Sequence, residues 1–172
     1  LIGLTGALFP LLLVGKDWPI FAGFAIVLIL AMTIGLVHGL LITKLKLQPF
    51  IVTLCGLFIY RGIARYMTGE MNQGFGNSFG NLRQLVKFKV FGFIPMPFMN
   101  LIIVGIIAAV FLNRTTYGRY LLALGRNESA ARYSGLNTDR MVIVAYIICS
   151  LLAGVGGILF ALEQNSVQPS TF

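Results

Sequence analysis

Residues 19–43, PIFAGFAIVLILAMTIGLVHGLLIT, run from Pro19 to Thr43 without one Asp, Glu, Lys or Arg. At ~1.5 Å per residue, such a run crosses the ~30 Å hydrocarbon core of a bilayer with some tilt. A second long run, Met141 to Leu162, has the same character. Of the 172 residues, 58% are hydrophobic and 10% charged, whereas soluble domains carry about 25% charged residues. So few charges cannot cover a water-exposed surface, and lipid is the solvent for most of the chain. The runs are continuous rather than alternating, which excludes a closed β-barrel. The fold class expected is therefore an all-α membrane protein, a polytopic transmembrane helix bundle.

Five apolar segments are read along the chain. Residues 1–15 form a short run ending at Lys16-Asp17, read as a truncated span. Residues 19–43 form a full span with Pro19 in its first turn, where a missing N–H does no harm. Residues 49–68 are less regular, because Arg61 and Arg65 follow the apolar stretch from Phe50 to Tyr60; this segment is read as short or broken. Residues 94–112 and 141–162 complete the set. The segment 69–91 is rich in Gly and Asn, a loop composition. The whole of 1–172 reads as one transmembrane domain. With Leu1 at the start, no basic region before the first apolar run and no cleavage signature after it, a signal peptide is a poor reading. Both ends read as cuts inside a longer protein.

The net charge is +8. In a soluble chain that would suggest nucleic acid. Here the Lys and Arg fall between apolar runs, where they set orientation, so no nucleic-acid partner is expected and the bilayer is. The segment 113–140 holds Arg114, Arg119, Arg126, Arg132 and Arg140 against Glu128 and Asp139, and the 44–48 turn holds Lys44 and Lys46. The positive-inside rule puts both in the cytoplasm and the 69–91 loop outside. Arg83, Lys87 and Lys89 on that outer loop count against this orientation but are outnumbered.

Within 113–140, NRTTYGRYLLALGRNESAARYSGLNTDR, the helix signals are specific. Asn127 is a good N-cap, and Glu128 complements the positive end of a helix. Gly135, two turns later, is a natural C′ residue. Thr138 is expected to cap the next span, with Asp139 in its first turn. A short helix at about 128–134 follows, a rigid peg in a cytoplasmic loop. Its small residues Ala130, Ala131 and Ser134 let another surface approach. The alternative, a helix lying on the bilayer, wants more bulky apolar residues than Tyr133 and Leu136.

Other residues carry weaker signals. Gly35 and Gly39, and Ala153, Gly157 and Ala161, recur at four-residue spacing, which lets membrane helices pack closely. His38 is the single histidine, and no carboxylate lies in any span to make a proton relay, so it reads as helix packing. Cys55 and Cys149, inside apolar runs, form neither a metal site nor a disulfide framework. No G-x-x-x-x-G-K-[ST] sequence is present, so ATP would be bound elsewhere. No cofactor, metal or catalytic set is expected. A membrane-embedded enzyme would have only His38, Thr53 and Ser150 to work with. A passive channel would leave the capped loop unexplained.

The stretches ALGRNESAARYSGLNTDR with YIICSLLAGVGGILFA, and GLVHGLLITKLKLQPFIVTLCGLFIYRGIARYMTG, each resemble the permease subunits of ribose-type bacterial ABC importers, of the ribose, xylose and arabinose kind. The likeness runs in family order from about residue 23 to 172. It implies a type II importer bundle in the inner membrane, and a second permease copy or paralogue. Cytosolic ABC ATPase subunits that bind ATP, and a periplasmic or lipid-anchored sugar-binding protein, complete the assembly. It gives Asn127, Glu128, Ala130, Ala131 and Gly135 the role of coupling to the ATPase. It makes Phe50, Thr53 and Arg61 candidates for the translocation pathway. Thr53 could bond a sugar hydroxyl or a carbonyl of its own helix. Arg61 could face the pathway or snorkel to the surface. Two departures stand out: Ser129 replaces a second Glu common in the family, and Cys55 a Gly. The expected cargo is a monosaccharide; a branched-chain amino acid, a nucleoside or an autoinducer is the alternative.

Overall fold

The computed structural model describes residues 1–15, 19–69, 73–74, 89–90, 94–164 and 166–167. The helices are α1 (Ile2–Gly15), α2 (Ile20–Thr43), α3 (Pro49–Thr68), α4 (Met96–Arg114), α5 (Thr116–Arg126), α6 (Glu128–Tyr133) and α7 (Thr138–Gln164). Helices α2, α3 and α7 are each long and apolar enough to span a membrane, and α4 with α5 makes a pair bent by 82°. This is an all-α polytopic membrane bundle. Two antiparallel ladders of two residues each decorate it: β1 (Gln73–Gly74) with β4 (Ser166–Val167), and β2 (Lys89–Val90) with β3 (Ile94–Pro95). Apart from Gly69 and β1 and β2, the 69–91 loop lies outside the described residues.

The apolar runs become helices because lipid offers the backbone no partners other than its own. Pro19 precedes the first residue of α2 and Pro49 opens α3, where a missing N–H breaks no intrahelical bond. Helix α3 stops at Gly69, whose φ of 57° lets its N–H reach the Arg65 carbonyl. The last span begins at Thr138 and ends at Gln164, a few residues beyond each end of the apolar run 141–162.

Helices α2 and α7 form the tightest pair, antiparallel, with Gly39 against Ile143, Gly35 against Tyr146 and Ile147, and Ala31 against Gly154. Cβ atoms on Gly35 and Gly39 would lie 2.8 Å from the backbone of Ile147 and Ile143. The missing side chains are what allow this approach. Helix α1 is the centre of the bundle despite its length. Leu4 through Pro10, Leu12 and Leu13 are buried, with Phe9 and Leu13 among the most enclosed side chains. It sits beside α3, α7 and α2: Ala64 belongs to its core cluster, Thr5 abuts Gly157, and Phe9 and Leu13 lie over Gly23. Thr5 is fully buried and bonds the carbonyls of Leu1 and Ile2 at 3.1 Å, so its hydroxyl stays within its own helix.

Candidate functional site

The 113–140 loop holds more structure than its polarity suggests. The sequence pointed to one short helix there; the chain forms two, because α5 precedes α6. The corner from α4 into α5 rests on one hydroxyl. Thr115 Oγ1 donates to the Phe111 carbonyl at 2.6 Å and accepts from the Gly118 N–H at 3.0 Å. It therefore satisfies an end of each helix. A Cβ on Gly118 would lie 2.5 Å from Leu112 Cα and 2.7 Å from its oxygen, so only glycine permits the 82° turn. Helix α5 is amphipathic. Tyr117, Leu121 and Leu124 share one face by helical spacing, and Arg119, Leu122, Ala123 and Arg126 lie on the other.

Asn127 joins α5 to α6. Its N–H bonds the Ala123 carbonyl at 3.2 Å, closing α5, and its Oδ1 accepts from Ala130 N–H at 3.0 Å, opening α6. The far end closes as a Schellman motif. Gly135 N–H reaches the Arg132 carbonyl at 3.0 Å and Leu136 N–H the Ala131 carbonyl at 3.1 Å, with Gly135 at φ 82°. Ser134 Oγ donates to the Ala130 carbonyl at 2.9 Å. Arg132 ties α6 to α7: its guanidinium lies 3.6 Å from both Glu128 and Asp139 and donates to Thr138 Oγ1 at 3.0 Å. Each exposed ion pair contributes little, ~0–1 kcal/mol; together with the hydrogen bonds they fix the direction of α6.

One sequence expectation changes here. Thr138 does not cap α7; its hydroxyl is buried and serves Arg132, and Asn137 Oδ1 takes the cap role by accepting from Arg140 N–H at 3.3 Å. The peg runs from Glu128 to Tyr133 with Ser134 as its C-cap, in agreement with the short helix expected at about 128–134. Ala131 is 5% exposed and lines the groove between α5 and α6. Asn127, Glu128, Ala130 and Gly135 are exposed. So is Tyr133, at 92%. A groove of about 440 Å³ runs between α5 and α6, with Ala130 on its wall.

Within the spans, Thr53 Oγ1 bonds the Pro49 and Phe50 carbonyls at 3.0 Å, the local alternative for that residue. Phe50 is exposed on the α3 surface. Arg61 is half-buried and, with Tyr60, lines a cavity of about 420 Å³ whose wall includes Ala153. The histidine joins three helices. Tyr60 Oη and His38 Nε2 lie 2.8 Å apart, and the His38 ring meets Tyr146 edge-on at 6.4 Å. The ring fits there because Gly56 lacks a Cβ, which would lie 2.8 Å from Nε2. Sequence reasoning placed His38 in helix packing but missed Tyr60 and Tyr146, which only the tertiary arrangement brings together. It also missed Gly154, whose Cβ would meet Ala31 at 2.9 Å. Among the described residues no three His, Cys, Asp or Glu side chains group as metal ligands.

Known proteins with this sequence pattern are transport subunits. The family described as branched-chain amino acid transport system / permease component matches residues 2–172. The ribose import permease protein of Escherichia coli (strain K12) is 34% identical over 172 residues, covering 99% of this chain and 53% of that protein. The ribose import permease protein of Bacillus subtilis (strain 168) is 34% identical over 139 residues, covering 77% of this chain and 41% of that protein. The L-arabinose transport system permease protein of Escherichia coli (strain K12) is 34% identical over 135 residues, covering 78% and 40%. The chain spans about half the length of these curated relatives or less. No solved structure is a significant match. A match along nearly the whole chain, on a bundle of membrane-spanning helices, shows that this chain belongs to the permease component family of the branched-chain amino acid transport systems.

Proposed function

We propose that the chain is part of a permease domain that moves a monosaccharide, of the ribose or arabinose kind, across the cytoplasmic (inner) membrane of a bacterium. The observation that carries this reading is the 34% identity to a ribose import permease along 99% of the chain. Transport is ATP-driven, and the ATP is held by separate cytosolic ATPase subunits. A second permease copy or paralogue completes the pathway, and a periplasmic or lipid-anchored binding protein delivers the sugar. The permease contributes no catalytic group and no cofactor.

In this reading the 113–140 loop lies in the cytosol and α6 is the coupling element. Asn127 and Gly135 stiffen its two ends, Arg132 fixes it to the first turn of α7, and Ala130 presents a small contact. A push on α6 then passes into α7, and from α7 to α2 through the close contacts at Gly35 and Gly39. Closure of the ATPases changes the bundle between inward-facing and outward-facing states. Phe50, Thr53 and Arg61 are its pathway candidates, Thr53 the weakest, since its hydroxyl already serves its own helix.

The experiment is purification of the whole permease with its ATPase subunits, wild type against Ala130→Arg, alongside uptake of labelled ribose and arabinose. Loss of the ATPase from the Ala130→Arg variant, with sugar uptake by the wild type, supports the reading; an ATPase retained in full removes α6 as the coupling element. A second reading, transport of a branched-chain amino acid, is favoured by the description of the matching family. Uptake of labelled leucine in place of sugar would establish it.

A further inference from the structure

The spans are joined by two kinds of seam. Helices α2 and α7 meet backbone to backbone: a Cβ on Gly35 would lie 2.7 Å from the Tyr146 carbonyl oxygen, and one on Gly154 2.9 Å from Ala31 Cβ. Packing that close cannot slide or part without losing contact along its length. Helix α3 is held differently. Its buried residues Val52, Gly56, Ala64 and Thr68 recur at multiples of four, a single narrow line that half-buried Tyr60 completes. Toward the end of α3, Ala64 and Thr68 share the wall of one small cavity with Leu4, Ala7 and Leu8 of α1, and Ala64 joins their core cluster. Nearer its start, α3 meets α2 at the bare Gly56 and through Tyr60 Oη, 2.8 Å from His38 Nε2. The turn between α2 and α3 contains Lys46 at φ 53°, the one non-glycine residue with positive φ among the described residues. A residue with a Cβ is strained there, and such strain marks segments that change shape.

We infer that the Tyr60–His38 bond is a releasable latch and that α3 is a hinged arm. Helices α2 and α7 move as one body. The part of α3 from Pro49 to Tyr60 swings away from α2 about the seat of Ala64 and Thr68 on α1, and the latch breaks. The Lys46 turn takes up the change of angle. This rests on the transport reading above and names the seam that opens in the cycle. A hydrogen bond between membrane helices is worth little more than thermal energy, so this one favours a state without locking it. The backbone contacts of α2 with α7 have no such second arrangement. The pathway candidates Phe50 and Thr53 ride on the swinging part, and Arg61 stands next to the latch in sequence. Motion that enters α7 therefore reaches α2 undiminished and becomes movement of α3 at the latch.

The test uses the whole permease assembled with its ATPase in the host membrane, with Cys55 and Cys149 replaced by alanine. His38→Cys with Gly56→Cys spans the latch, and the side chain at 56 fills space that the imidazole leaves. Ala31→Cys with Gly154→Cys spans the α2–α7 seam, where the two Cβ atoms would lie 2.9 Å apart. Reduced, both pairs should import labelled ribose. Oxidation of the latch pair should abolish uptake, and dithiothreitol should restore it. Its disulfide should form in different yield in nucleotide-free and vanadate-trapped protein. Oxidation of the α2–α7 pair should leave uptake unchanged, with equal yields in the two states. Full uptake with the latch pair oxidised, or equal yields for it in both states, overturns the inference. So does loss of uptake on oxidising the α2–α7 pair. If the latch pair imports nothing when reduced, His38→Cys with Tyr60→Cys, bridged by a short bis-methanethiosulfonate, replaces it and is judged by the same outcomes. If the parent protein imports neither ribose nor arabinose, the sugar-transport reading fails, and the disulfide yields in the two nucleotide states still decide the latch.

Discussion

The Tyr60 hydroxyl and His38 Nε2 lie 2.8 Å apart across the contact between α3 and α2. In a bilayer neither polar group has water to turn to, so the pair closes one helix on another. Tyr146 of α7 completes the cluster edge-on. The one histidine of the chain thereby touches three spans, and its place is set by the bare Gly56 beneath it. That is an arrangement for holding a bundle together.

Tyr60→Phe should lower the stability of the detergent-solubilised protein by about 0.6 kcal/mol, and by no more than ~1.7 kcal/mol, the range for hydrogen bonds between membrane helices. Adding His38→Leu to Tyr60→Phe should cost less than the two single changes summed, because both remove the same bond. Thermal or denaturant unfolding of the three variants measures this. Strict additivity would mean that the two side chains act independently.

Gly39→Ala should destabilise the bundle by ~1–3 kcal/mol, the range for overpacking. The new methyl would lie 2.8 Å from the Cα of Ile143, and backbone cannot step aside as a side chain can. Gly35→Ala should behave alike. Gly156→Ala, where a Cβ meets nothing within 4 Å, should stay within about 0.5 kcal/mol. Equal effects at Gly39 and Gly156 would contradict the α2–α7 packing.

Gly118→Val should open the corner between α4 and α5 while leaving the spans intact, since the nearest atoms its Cβ would meet belong to Phe111 and Leu112, at the corner itself. Limited proteolysis should then cut within 113–127 at a protease dose that spares the parent protein. Thr115→Val, which removes both bonds of the cap, should cost about 1 kcal/mol. Unchanged proteolysis in Gly118→Val would rule out the tight turn.

Gly135→Ala should weaken the loop by ~1–2 kcal/mol, because its φ of 82° is a left-handed conformation that a Cβ resists. Gly135→Asn should be milder, since Asn tolerates that region. Hydrogen exchange of the Gly135 and Leu136 amides, which close α6, is the readout. Equal exchange in Gly135→Ala and the parent would refute the role of that residue.

Much of this architecture was readable from the chain. Runs such as 19–43 declare spanning helices because no other backbone arrangement survives in lipid. Asn127 and Gly135 declare the ends of α6 because both act through local backbone geometry. What stayed hidden depends on distant contacts. Helix α5 sits in a stretch whose arginines and Gly118 look like loop, and its cap, Thr115, works only together with the carbonyl of Phe111. Ala131 and Ala130 are adjacent and alike in sequence, yet the helix turns one inward and the other out. Tyr60 is 22 positions from His38, and nothing local announces their bond. Helix α1 reads as a short leftover run but fills the centre of the bundle, because burial is a property of its neighbours.

The account depends most on α6 projecting into the cytosol as a surface for another protein. The direct test replaces Cys55 and Cys149, both exposed, by alanine and places a single cysteine at Ser129 of the whole permease. Oriented membrane vesicles are then treated with a membrane-impermeant maleimide. Labelling in inside-out vesicles, lost when ATPase subunits are added, is the result predicted. Labelling in right-side-out vesicles would contradict it.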